Sequence, residues 1–131
     1  MIPETIRRFI EAIPVAIVAS TGDAGYPHLA AASGLRVPDG STLLFKNWSC
    51  ETTLQNVSRN PRVAVAVTAA DGQAGYQIVG RVRLLLEEAI LNGYAPDIEE
   101  PGTPQALFQL EIEVEKVMEF SVRMHSDRDL G

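Results

Sequence analysis

Cysteine, histidine and tryptophan are nearly missing from this sequence of 131 residues: it has one Cys, two His and one Trp. A lone thiol, Cys50, excludes an intrachain disulfide, and with only His28 and His125 beside it no zinc-type ligand spacing can be drawn. That cysteine usage is the habit of a cytosolic protein, so a cytoplasmic location is expected. Positive charge is also scarce. Eleven Lys and Arg stand against seventeen Asp and Glu, giving a net charge of −6. Nucleic acid and anionic membrane surfaces call for clustered basic residues and are therefore not expected partners. No apolar run approaches the roughly 20 residues that span a bilayer. The start of the chain does not read as a signal peptide, because Arg7 and Arg8 lead into Phe9-Ile10-Glu11-Ala12 and not into an apolar stretch. No Ser/His/Asp set or glycosidase-like carboxylate pair stands out either.

A hydrophobic content of 46% and a mean hydropathy of +0.04 are those of a globular protein, and the length suits one domain, 1–131, with a real core. Ile2, Ile6, Phe9, Ile10 and Ile13 recur at helical spacing, which predicts a short amphipathic helix over 3–12 that Pro14 ends. Strands are predicted at 15–20, 28–37, 42–46, 62–69 and 77–87, the last interrupted by Gly80, with Gly and Pro turns between them. The acidic, Pro-rich stretch 92–104 reads as a surface loop. Beyond it Phe108, Leu110, Ile112, Val114, Met118, Phe120 and Val122 fall on even positions and Glu111, Glu113 and Glu115 on odd ones. This predicts one long strand with a dry and a wet face, with a bend or bulge at Lys116. The tail from His125 is polar and is expected to be loose. The fold class is mainly β with short helices, and many short strands favour a barrel.

The most informative stretch runs from Lys46 to Arg62, where a strand pattern stops and a helix begins. Unpaired N–H groups and the positive end of the dipole make any helix start an anion site. Here Lys46 and Trp48 precede it and Thr52 and Thr53 sit in its first turn. Thr52 followed by Gln55 also reads as a capping box. Cys50 near this turn is either a reactive thiol or, more commonly, a small buried hydrophobe. His28, after a Gly-Asp-Ala-Gly-Tyr-Pro turn, is either a proton donor or a structural residue.

The order of these pieces, from the Gly-rich turn at 22–28 through Pro38-Asp39-Gly40 and Phe45-Lys46-Asn47 to the helix and Asn60-Pro61-Arg62, resembles the pyridoxamine 5'-phosphate oxidase-like flavoproteins over roughly residues 5–87. The resemblance implies a split β-barrel, a homodimer, and FMN held at the dimer interface. It implies an oxidoreductase acting on a small-molecule substrate, with an electron donor such as a nicotinamide nucleotide. The implied FMN contacts are Ala31 and Ser33 on the second strand, Phe45, Lys46 and Asn47 on the third, Trp48 either over the ring or ribityl chain or, equally, as a plug over the barrel end, Thr52 and Thr53 at the helix start, and Gln77 from the second subunit. Asn56 is expected to make a structural hydrogen bond. Thr52 stands where the family has its phosphate-binding lysine, and Glu51 adds a carboxylate beside it, so either Glu51 points away or another cation compensates, with Lys46, Arg36, Arg81 and Arg83 as the candidates. The same departure favours the alternative of a non-catalytic binding or electron-transfer module holding FMN, a deazaflavin or haem. Pyridoxamine phosphate oxidation itself is not expected, since that enzyme's longer chain and basic substrate motifs are absent.

Overall fold

Period-two alternation of apolar side chains organises most of this chain into one antiparallel sheet, seen in a computed structural model that describes residues 1–87, 107–124 and 127–130. In chain order the elements are α1 (Glu4–Ala12), β1 (Ala16–Thr21), a 3-10 turn (Asp23–Gly25), β2 (Pro27–Ala32), β3 (Arg36–Asp39), β4 (Thr42–Trp48), α2 (Glu51–Arg59), β5 (Arg62–Thr68), β6 (Gly75–Glu87) and β7 (Leu107–Glu119). The loop expected at 92–104 lies outside the described residues. No described helix is long and apolar enough to cross a membrane.

The strand order is β2-β1-β5-β6-β7-β4-β3, and every pairing is antiparallel. The two edge strands, β2 and β3, are consecutive in the chain and joined by Ser33-Gly34-Leu35 alone. Seven strands laid flat would separate those edges by about 29 Å at ~4.8 Å per strand. The link, four residue steps, reaches only about 14 Å. The sheet must therefore roll until its edges approach, although no ladder joins β2 to β3 among the described residues. The inward face carries Val18, Val37, Leu43, Phe45, Val65, Ile78, Leu110 and Ile112, each at 1% exposure or less. Burying such side chains contributes on the order of 1.5–3 kcal/mol each.

The single strand expected over 28–37 is two strands. Gly34 takes φ +73°, a left-handed conformation that a strand cannot pass through, and the chain there leaves one edge of the sheet for the other. Helix α1 closes one side of the core with Ile6 and Ile10, and its Glu11 Oε2 accepts a hydrogen bond from Val37 N of edge strand β3 at 2.9 Å.

The expected break near Lys116 is a β-bulge. Val79 faces Lys116 but Gly80 faces Val114, so Glu115 is the extra residue. The bulge reverses the parity of the strand: Leu110, Ile112 and Val114 point inward before it, and Val117 does so after it. The expectation that Met118, Phe120 and Val122 continue the dry face is therefore corrected. Phe120 and Val122 are 40% and 71% exposed, and the strand ends at Glu119. The tail is also tighter than expected over 127–130, where Glu119 N donates to Arg128 O and Leu130 N to Val117 O, covering the β7 edge beyond the start of β4.

Glu115, released from the ladder by the bulge, accepts from Arg62 Nε and Nη2 at 3.0 and 3.3 Å. That hydrogen bond, with the charges of Arg62 and Arg81, holds its carboxyl below the usual range. A depressed carboxylate pKa contributes stability above the unfolded value and loses it as pH falls through the folded one. Melting curves of the wild type and Glu115→Gln are expected to differ slightly at neutral pH, because the pair is exposed, and to converge in acid. A constant offset at every pH would show that the ion pair is not the source.

Candidate functional site

Strand β4 also carries a bulge, and it builds the site. Phe45 pairs with Leu110 and Trp48 with Phe108, three steps on one strand against two on the other, so Phe45 and Trp48 both turn inward while Lys46 and Asn47 stay exposed. The two rings meet edge-on, 5.1 Å between centroids. Trp48 is 2% exposed and its Nε1 donates to Cys50 O at 3.0 Å, so the indole plugs the end of the rolled sheet with its N–H satisfied.

Helix α2 then starts at Glu51, after Cys50 in an extended N-cap conformation. The expected capping box is not formed: Thr52 already lies inside the first turn, and no side chain caps the helix. The first-turn N–H groups are thereby left for solvent or a ligand. Thr52 is exposed, whereas Thr53, also in the first turn, is fully buried. The helix is laid along β1 and β2. Asn56 Nδ2 donates to Ser20 Oγ at 3.0 Å, the structural role expected of it, and Arg59 pairs with Asp23 at the far end.

Between the end of β2 and this helix start lies a cleft of about 190 Å³. One wall is Ala31, Ala32 and Ser33, and the other is Asn47, Trp48, Ser49 and Cys50. Four residues singled out from the sequence, Ala31, Ser33, Asn47 and Trp48, thus meet although β2 is one edge of the strand order and β4 lies next to the other. Phe45 lies behind Trp48, Lys46 is exposed one residue from the lining, and Thr52 is exposed two residues beyond Cys50. Gln77 is elsewhere, half-buried on β6 between Ala66 and Met118. Ala32, Ser49 and Cys50 were not singled out as ligand contacts. They line the cleft because the bulge and the N-cap turn the chain there, and no side-chain pattern signals that.

The candidate countercharges divide into two groups. Arg83 is held by Glu113 at 3.1 Å, and Arg81 acts on Glu115. Lys46 and Arg36, both exposed, have no ion-pair partner among the described residues. A larger hollow of about 410 Å³ opens between the β5–β6 turn and the chain after β7, beside the Arg128–Glu119 ion pair, and contains none of the residues singled out from the sequence.

Several solved structures share this fold. The tagged HupZ protein from Group A Streptococcus aligns over 100% of both chains with a TM-score of 0.75 and 21% identity. A structure named F420 Reductase aligns over 88% of this chain and 98% of its own, with a TM-score of 0.66 and 19% identity. An FMN-binding protein from Syntrophomonas wolfei subsp. wolfei aligns over 86% and 81%, with a TM-score of 0.63 and 14% identity. No curated protein matches the chain. The family model described as Pyridoxamine 5'-phosphate oxidase matches residues 2–119, a span that holds the helices and strands of the described residues and the cleft, and the chain belongs to that family.

Proposed function

We propose that this protein is an FMN-binding flavoprotein, a split-barrel homodimer that acts as an oxidoreductase on a small substrate. The observation that carries the reading is the cleft at the start of α2, where small side chains, polar groups and unpaired helix N–H groups converge. Ala31 and Ala32 leave room for a flat ring system, Ser33, Asn47 and Ser49 offer hydrogen bonds, and the first turn of α2 suits a phosphate. When bound, the flavin supplies the electron chemistry, and the chain's part is to position it, shield it and set its electrostatics.

A single chain offers too little space. Sites that enclose a drug-sized ligand run to about 300–1,000 Å³, and this cleft has about 190 Å³. A second copy supplies the missing wall. The outer face beside the cleft suits such a partner: β1 and β5 present Ile17, Ala19, Ala64 and Ala66 there, and β2 presents Leu29 and Ala31. Leu29 is 68% exposed. The outer face of β6 and β7 is by contrast charged, with Arg81, Arg83, Glu111 and Glu113.

Purified protein is expected to take up FMN with a flavin spectrum that bleaches on reduction and returns in air. A dimeric protein that stays colourless with excess FMN removes the reading. A deazaflavin is the second occupant to test, favoured by Thr52 in place of a charged donor and by the structural neighbour named F420 Reductase. Thr52→Lys adds a charged donor to an exposed first-turn position. It is expected to tighten FMN binding about fivefold at low salt, the ~1 kcal/mol by which a charge-assisted hydrogen bond exceeds a neutral one. The gain should shrink as salt rises. Unchanged affinity in a folded variant would place the phosphate elsewhere.

A further inference from the structure

The larger hollow, of about 410 Å³, has the size of a cavity that takes a small organic molecule, and it shares no lining residue with the cleft. Backbone hydrogen bonds hold it in shape on two flanks. After β7 the chain zips onto the β5–β6 turn, where Phe120 N donates to Gly75 O at 3.0 Å and Val122 N to Gly72 O at 2.9 Å. From the other side the tail returns to β7, and Glu119 N donates to Arg128 O at 2.9 Å. The lining is basic on one side. Arg123 and Arg128 bring two guanidiniums against one carboxylate, Glu119, in a chain whose net charge is −6. Arg123 has no ion-pair partner among the described residues. Arg128 reaches Glu119 at 3.4 Å, beyond the roughly 2.7–2.9 Å of a strong charge-assisted bond, and the pair is open to water. Turning Arg128 from Glu119 to an incoming anion therefore costs little.

The remaining lining supplies an apolar wall and a neutral donor. Tyr76 is half-buried, and its ring is fixed edge-on against Phe9 of α1, 5.1 Å between centroids. Met124 is 88% exposed, and its unbranched thioether can settle on whatever lies beside it. Ser121 Oγ accepts from Arg123 N at 3.2 Å, which leaves its hydroxyl proton to donate. We propose that this hollow is a second ligand site, for a small organic anion. The two arginines take its carboxylate or phosphate group, since a guanidinium matches either with paired N–H donors, and Tyr76 and Met124 cover its apolar body. The proposal does not depend on which cofactor the cleft takes.

Titration of ¹⁵N-labelled protein with benzoate and with phenyl phosphate, and with neutral benzyl alcohol as the control, tests this site. The amide resonances of Gln73, Ala74, Tyr76 and Ser121 are expected to move and saturate with at least one of the two anions. The anion that binds more tightly identifies the group as carboxylate or phosphate, and benzyl alcohol should bind at least about tenfold more weakly than that anion. Arg123→Gln should weaken anion binding by a similar factor, with Arg123→Lys, which keeps the charge and loses the paired donors, falling between. Arg123 is exposed, so both variants should fold as the wild type does. Affinity should also fall as salt rises. Shifts that never saturate, shifts confined to the cleft residues, benzyl alcohol binding as well as the anions, or a folded Arg123→Gln protein with wild-type affinity would each overturn the proposal.

Discussion

Replacing Gly80 by alanine is expected to destabilise the protein by about 2–4 kcal/mol, a large effect for one methyl group. A Cβ at this position would overlap the carbonyl oxygen of Glu113 and come within 2.7 Å of Ile112 Cγ2. The obstacle is the backbone of the neighbouring strand and a core side chain, neither of which can swing aside. Gly80 is also the residue at which the β6–β7 register shifts. Opening that contact would disturb the bulge that turns Val117 inward and releases Glu115 to Arg62. Urea unfolding of Gly80→Ala measures the loss. A value within about 0.5 kcal/mol of the wild type, the range of ordinary surface changes, would mean that the two strands separate at little cost and that the bulge does not depend on the glycine.

Leu29→Glu carries the largest expected effect on function. Leu29 is 68% exposed in the single chain, so glutamate there should leave the monomer's stability within about 0.5 kcal/mol. In the proposed dimer the same position is covered by the second copy, and a carboxylate must be desolvated there without a partner. Dimer dissociation should rise at least about 100-fold, on the order of 3 kcal/mol. FMN affinity should fall with it, since the cleft of one chain is too small to enclose the cofactor. Sedimentation and flavin fluorescence titrations on the same samples test both parts. A variant that remains dimeric at wild-type FMN affinity would move the interface to another face, and one that dissociates yet keeps its FMN would show that the site is complete within one chain.

Local pattern was enough to identify most of the elements. Alternation along β5 and β7, helical spacing of Ile2, Ile6 and Ile10, and the turns at Gly22–Gly25 and Pro38–Gly40 are short-range signals. Period and turn chemistry act within a few residues and do not depend on what packs against them. The same holds for the helix start after Trp48 and for Asn56 as a structural donor. Long-range pairing lies beyond such signals. Nothing in residues 28–37 shows that the chain crosses from one sheet edge to the other at Gly34, because a single glycine reads equally as a flexible point within one strand. The even-numbered dry face of 108–122 was legible only up to Glu115. Past that point the bulge reverses which side of the strand meets the core, and a bulge forms between two strands and not within one. Thr52 and Gln55 had the composition of a capping box but not its position, since the N-cap is Cys50, two residues earlier, where the Trp48 side chain is tied to the Cys50 carbonyl. The membership of the cleft was decided in the same way. Ala31 and Ser33 meet Asn47 and Trp48 because a three-residue link draws the two edges of a seven-stranded sheet together, a closure that belongs to the whole sheet and has no signature in either segment.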